Sequence, residues 1–400
     1  MTFAAPTLIV GDKSKVATAI HELTHSYFGN DVGCQNWDNL WINEGLNTFM
    51  ERKILQLLRG VDYANLAYRN GNISLYENIL DYGENNTYSS LFPNIGMDDP
   101  ENSFNGLSYE KGSQFTYYME TLLGEDKMQL MLRQYLTNFS QMAIDQLDFK
   151  VFYETFVELN FNSSTATEII DLTDWDTWVL KPGLPPVTLN FTTNLLNEPA
   201  QLVEEYLNLE GADSLSTTLN YSSFISIQKL AFIQGLREAG DAVNAELLAI
   251  IDSDLDITST THPDIRTEWY ILGIERGYEP VLDPSYKWVG EQGRNAYVRP
   301  TYTALIEAGM CDTAQAWFTE YELFYNSYVV GGVSRSLKVC NLTVTPDAGR
   351  TEAPDGGEKN ETGGGNADSG SRMNSAQLIG IVMTLIVLAE SSYFFDFIIK

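Results

Sequence analysis

The 400-residue chain is poor in basic residues, histidine and cysteine, and each scarcity narrows what it can do. Only 24 Lys and Arg stand against 54 Asp and Glu, a formal net charge of −30 at pH 7. A field of that sign repels phosphate backbones, so nucleic acid is excluded as a partner. It favours solubility and attracts cationic peptides. The three cysteines, Cys34, Cys311 and Cys340, include no Cys-x-x-Cys pair, which removes a cysteine zinc knuckle. Cys311 and Cys340 could pair in an oxidising compartment, a point the sequence leaves open. The three histidines are His21, His25 and His262, and two of them fall within one short motif. Scattered structural histidines rarely cluster in this way.

What is present is mostly helical pattern. Hydrophobic residues make up 44% of the chain and aromatics 12%, enough for the cores of two or three domains. Residues 2–10 alternate loosely and read as a short strand. Over residues 15–28 the apolar positions Val16, Ile20, Leu23 and Tyr27 recur at helical spacing, and Gly29-Asn30 ends the run. A second helix is expected over 40–59, closed by Gly60, and a third over 109–123. Residues 81–100 are rich in Asn, Gly, Ser and Pro and read as a loop. Helical segments continue to about Leu180, and "KPGLPP" at 181–186 marks a boundary. From 201 to 328 helix follows helix with short breaks, as in a small layered all-α domain.

The expected organisation is therefore mainly α. A zinc-binding domain over 1–186 precedes an α-helical layered, armadillo-like domain over 187–343. Residues 344–375 are almost devoid of large apolar side chains and read as a disordered linker. Residues 376–400 form an apolar tail. The uncharged stretch that leads into it, 373–389, falls short of the roughly 20 apolar residues of a typical spanning helix and is marginal as one. A transmembrane helix, a removable lipid-anchor signal and a soluble tail all fit it. Eight Asn-x-Ser/Thr sequons, at Asn72, Asn85, Asn138, Asn162, Asn190, Asn220, Asn341 and Asn360, favour a glycosylated, extracellular or lumenal, membrane-associated protein over a cytoplasmic one.

The chemistry concentrates in "AIHELTHSYFGN", which contains His21-Glu22-x-x-His25. Residues four apart share a helical face, so both imidazoles can address one ion. Catalytic zinc takes three protein ligands and leaves the fourth position open. "NLWINEGLNTFMERKI" supplies the third: Glu44 follows His25 at a spacing that returns a helix alongside the first. Glu22 sits beside the ligand pair, where it can take a proton from a water at the ion and pass it to the leaving amine. Glu51 lies two helical turns after Glu44, on the same face. Two readings fit it: an orienting partner for a ligand histidine, or an ordinary surface glutamate.

The segments "PTLIVGDKS", "AIHELTHSYFGN" and "WDNLWINEG" resemble the M1 zinc aminopeptidases of the gluzincin type. Among these the likeness is to the leukotriene A4 hydrolase and aminopeptidase B subgroup, over roughly residues 2–342. It implies a thermolysin-like catalytic domain followed by an α-helical domain, one zinc ion, and short peptides as substrates. "LSYEKGSQFTYYMETLLG" matches the segment that carries the family's catalytic tyrosine, here Tyr109, whose phenol would donate to the oxyanion. "WVLKPGLPP" resembles the subgroup's passage into the helical domain. "EQGRNAYVRP" resembles the segment whose arginine, here Arg294, holds a peptide's terminal carboxylate. The family's lysine two residues later is Ala296 here.

Other departures matter too. A family aspartate implicated in epoxide opening aligns with Glu101, and a second tyrosine with Phe104, so peptide hydrolysis ranks above leukotriene hydrolysis. The family's amine-binding Gly-x-Met-Glu-Asn motif, expected just before residue 2, is not in this chain. The zinc-binding domain is accordingly read as N-terminally truncated. The leading expectation is a zinc aminopeptidase. The alternatives are an epoxide hydrolase of leukotriene type and a membrane-tethered zinc- or peptide-binding fragment that does not turn over.

Overall fold

The computed structural model describes residues 5–100, 106–209, 211 and 213–342. The expected linker, the apolar tail, Glu101 and Phe104 lie outside these residues. Among the described residues no helix is long and apolar enough to cross a membrane.

The chain forms two compact units. The first runs through Glu204 and includes Thr217–Gly235; the second comprises Glu205–Ser216 and the chain from Leu236. The first unit contains helices α1 (Val16–Thr24), α2 (Leu40–Arg59), α3 (Val61–Tyr82), α4 (Gly106–Leu123), α5 (Glu125–Phe139), α6 (Gln146–Asn160) and α7 (Ser163–Thr173). Two short strands, β1 (Val32–Cys34) and β2 (Met142–Ile144), pair in parallel with Val32 opposite Met142. The core is aromatic: Trp41, Phe115, Phe149, Trp175 and Trp178 are buried together, with ring centroids 5.1–6.0 Å apart.

The crossing of α2 and α4 fixes much of this unit. A Cβ on Gly45 would lie 2.7 Å from the Cα of Gly112, and one on Gly112 would lie 2.9 Å from the Cα of Gly45. The two backbones therefore touch at a spot where neither helix can carry a side chain. That contact sets Glu44 and Tyr109 on neighbouring stretches of adjacent helices. Lys111 adds a second tie. Its buried ammonium donates to the carbonyls of Ser89 at 3.1 Å, Lys181 at 3.2 Å and Gly183 at 2.9 Å, binding the 181–186 segment to α4.

The bounds of α2 match the sequence expectation, and Gly60 ends it at φ 91°. Two other expectations need correction. The described part of 2–10 is not a strand but a single 3₁₀ turn, Pro6–Leu8, with proline at its start. The first helix ends at Thr24 rather than Phe28. Its last turn tightens, with Ser26 N–H donating to Leu23 and Tyr27 N–H to Thr24, and Phe28 then bridges Val32.

Helix α8 (Asn197–Leu207) and helix α9 (Ser226–Glu238) lead into the second unit. There follow α10 (Ala245–Leu255), α11 (Pro263–Glu275), α12 (Leu282–Glu291), α13 (Asn295–Glu307), α14 (Cys311–Tyr321) and α15 (Ser327–Leu342). Helix α13 touches α11, α12, α14 and α15; it buries Tyr297, Val298 and Leu305, and α11 buries Trp269, Tyr270 and Leu272. Cys311 and Cys340 form a disulfide that joins the start of α14 to the last turn of α15.

Candidate metal centre

Helix α1 delivers His21, and its C-cap residue is His25. Helix α2 delivers Glu44 and Glu51 on its buried side. The rings of His21 and His25 stand edge to face with centroids 4.7 Å apart. One oxygen, Glu44 Oε2, lies 3.4 Å from Nε2 of His21 and 3.4 Å from Nε2 of His25. The three donor atoms all fall within 4.8 Å of one another.

Three features fit this cluster to a metal ion. First, Glu44 Oε2 is buried and has no hydrogen-bond partner, which native proteins rarely tolerate. Second, donors bound at about 2.0–2.1 Å to one tetrahedral zinc stand about 3.3–3.4 Å apart; the carboxylate–imidazole separations have that length. Third, both Nδ1 atoms already have partners. His21 Nδ1 lies 3.0 Å from Glu51 Oε2, and His25 Nδ1 lies 2.8 Å from the carbonyl of Phe28. A carbonyl only accepts, so His25 Nδ1 carries the proton, and the Glu51 carboxylate favours the same tautomer in His21. Both Nε2 lone pairs then face Glu44.

Without an ion, the cluster is an ion pair. Burial alone would lower the His21 pKa, but the carboxylates of Glu44 and Glu51 outweigh it and raise the imidazole to about 9. Burial would raise the Glu44 pKa, but the two imidazoles override it and bring the carboxyl down to about 2. In the metal-free cluster, positive charge on the imidazoles would offset the Glu44 carboxylate as a bound divalent cation would.

Tyr109, on the first turns of α4, stacks against His21 with centroids 5.9 Å apart and the planes 21° from parallel. Burial, then the carboxylates of Glu44 and Glu22, push its phenol above the ordinary range. Glu22 is solvent-exposed. Glu51 is 7% exposed, so the surface reading of that residue does not hold. Arg294 belongs to the second unit. It is the N-cap of α13, with its guanidinium over the ring of Tyr297 at 5.2 Å and Nη1 donating to that phenol at 3.2 Å. The Tyr297 hydroxyl in turn donates to Asp264 at 2.8 Å.

Residues with no motif of their own in the sequence hold this arrangement in place. Asn47 donates to the carbonyl of His21 at 2.9 Å, docking α1 on α2. Arg52, 2% exposed, donates through Nη2 to both oxygens of Glu110 at 2.7 Å. Its guanidinium also covers the ring of Tyr68 at 4.6 Å. The pair lies between α2 and α4, next in sequence to Glu51 on the first and to Tyr109 on the second. The available signal was a run of polar residues (Glu44, Asn47, Thr48, Glu51, Arg52) on the face of α2 that also carries Trp41 and Leu55.

Residues 3–178 match the peptidase family M1 domain, and residues 224–337 match the C-terminal domain of leukotriene A4 hydrolase. The chain thus carries a peptidase family M1 domain followed by a domain of the leukotriene A4 hydrolase C-terminal type. It is 28% identical over 337 residues to leucine aminopeptidase 2 of Aspergillus niger, an alignment covering 84% of this chain and 54% of that protein. To the leukotriene A-4 hydrolase homolog of Botryotinia fuckeliana it is 27% identical, over 84% of this chain and 51% of the other. The structure of native yeast LTA4 hydrolase superposes with a TM-score of 0.76 at 26% identity, covering 84% of this chain and 56% of that one. The bestatin complex of yeast LTA4 hydrolase gives 0.72 at 25%, with the same coverage. The chain spans about half the length of the curated relatives it matches.

Proposed function

We propose that this chain carries the zinc-dependent catalytic centre of an aminopeptidase acting on short peptides. The observation that carries the reading is the triangle of donor atoms from His21, His25 and Glu44, whose carboxylate vertex is buried without a hydrogen-bond partner. His21, His25 and Glu44 would hold the ion. Zinc would supply a Lewis acid that polarises the scissile carbonyl and acidifies a water. Glu22, exposed next to the ligand pair, would act as the general base for the attacking water and pass the proton to the leaving amine. Tyr109 donates its phenolic hydrogen to the oxygen on which charge develops. A phenol is protonated at neutral pH, and burial with the Glu44 and Glu22 carboxylates pushes its pKa further up. Glu51 holds the His21 ring in the ligating tautomer. Arg294 offers a planar fork for a peptide's terminal carboxylate.

The names of the relatives, several of them leucine aminopeptidases, support an N-terminal leucine as the preferred residue. The disulfide Cys311–Cys340 and the sequons support an oxidising, extracellular or lumenal compartment. An electrophoretic shift of the native protein after N-glycan removal would check the latter.

Metal analysis combined with turnover of a leucyl anilide tests the function. One zinc per chain is expected, with turnover abolished in both His21→Ala and Glu22→Gln but zinc lost only in the former. A Glu22→Gln chain as active as the parent, or a parent that binds no zinc, overturns the reading.

A further inference from the structure

A polar cavity lies wholly within the helical unit, between the end of α9, helix α11 and helix α13. Its volume is about 340 Å³, at the small end for an organic ligand. Its charged lining is Arg237, Glu268, Glu275, Arg299 and Glu307, to which Asn295 and Thr303 add an amide and a hydroxyl. Nothing in the metal-centre chemistry uses these residues.

The charges of this lining are unequally matched. Arg237 is bound by Glu275, with Nε donating at 2.8 Å and Nη2 to the other carboxylate oxygen, a two-pronged contact. Glu268 is 5% exposed, yet its one ion pair among the described residues is a 3.7 Å contact to Arg237, too long for a hydrogen bond. The Oδ1 of Asn295 is also buried without a hydrogen-bond partner. The interior therefore presents two under-used acceptors, and its one cation is already engaged by Glu275. With Glu268 ionised the buried part carries one negative charge in excess, while Arg299 and Glu307 balance at the exposed rim. Ile271, Pro300 and Ala304 supply an apolar wall alongside.

Spare acceptors, a net negative floor and an apolar wall together complement a cation rich in N–H donors on a short alkyl stem. We propose that this cavity binds a small organic cation with an alkylguanidinium or alkylammonium head, its N–H groups donating to Glu268 and Asn295. Burial, only partly offset by Arg237 and reinforced by Glu275 and Asp264, raises the Glu268 carboxyl to about 7, consistent with an acid that lacks its cation. The proposal is independent of peptidase activity.

Isothermal titration of the 400-residue chain with butylguanidinium, butylammonium and tetramethylammonium chlorides at physiological salt tests it. The first two should bind at one site, and whichever binds more tightly identifies the head group. Tetramethylammonium carries the charge without N–H donors and should bind at least tenfold more weakly. Glu268→Gln, near-isosteric, should weaken binding at least tenfold. Asn295→Asp, on the first turn of α13 where an acidic residue suits the helix, should tighten it several-fold. Circular dichroism establishes that both variants fold. Equal binding of all three cations would reduce the effect to attraction by the chain's net negative charge, and would overturn the proposal. So would no binding at all, or affinities unmoved by both substitutions.

Discussion

The buried pair Arg52–Glu110 offers a sharp test of how α2 and α4 are held together. Replacing Arg52 with methionine leaves Glu110 in a dry site, and burial raises that carboxyl's pKa even with the arginine present. A buried charge that loses its partner costs about 3–5 kcal/mol. The pair itself, at about 4 Å between charge centres and an effective dielectric constant of about 20, contributes about 4 kcal/mol of attraction, much of it offset by desolvation. Domains are stable by only about 5–15 kcal/mol, so the single substitution should remove a large share of that margin. Replacing both partners, Arg52→Met with Glu110→Leu, removes the orphaned charge as well as the ion pair. The double variant should lie within about 1–2 kcal/mol of the parent and well above Arg52→Met alone. Urea unfolding followed by tryptophan fluorescence reads this out, since Trp41, Trp175 and Trp178 all sit in the core of the unit concerned. If Arg52→Met costs less than about 1 kcal/mol, or if the double variant is as unstable as the two singles summed, the pair is not what couples the helices.

Gly45→Ala places a methyl 2.7 Å from the Gly112 backbone, which cannot yield as a side chain would. It should cost about 1–3 kcal/mol in urea unfolding and lower zinc affinity by moving Glu44. Tyr109→Phe should leave zinc content unchanged and reduce kcat on a leucyl anilide by about 10²–10³-fold; unchanged kcat would remove the phenol from the mechanism. The pH dependence of the metal-free chain follows from the folded pKa values. His21, raised from 6.5 to about 9, contributes stability that is complete below pH 6.5 and lost as pH rises to about 9. Glu44, lowered from 4.5 to about 2, contributes stability that is complete above pH 4.5 and lost as pH falls to about 2. Thermal melts of chelated protein should therefore peak between these limits and decline on the alkaline side. Zinc-loaded protein should melt higher at neutral and alkaline pH and lack that alkaline decline, and should lose its advantage at acid pH, where protons displace the metal from the histidines; identical profiles with and without zinc would refute the shared site.

How much of this was legible in the sequence depends on the range of the interaction involved. Helix α2 was legible to the residue because its apolar spacing and its terminating glycine are local signals. Glu44 was legible because its separation from His25 is the length of a return to an adjacent helix. Helix α3 was not: Asn65, Asn70 and Asn72 lower its local propensity, and it forms because Gly71 makes room for the Arg52–Glu110 pair and Tyr68 lies beneath the guanidinium. The strand expected over 2–10 failed because its alternation was weak and Pro6 favours a turn.

The deeper omission was the α2–α4 crossing itself. Gly45 and Gly112 are far apart in sequence, as are the partners Arg52 and Glu110. No periodicity connects such pairs, because each helix on its own gives no reason for a glycine or a buried charge at that position. Only the packed pair explains both at once. The same packing brings Tyr109 against His21, so the geometry of the metal centre rests on contacts that have no local sequence signature. Substitutions at Gly45, Arg52 or Glu110 should thus disturb the site as strongly as they disturb the fold, although none of the three is a ligand.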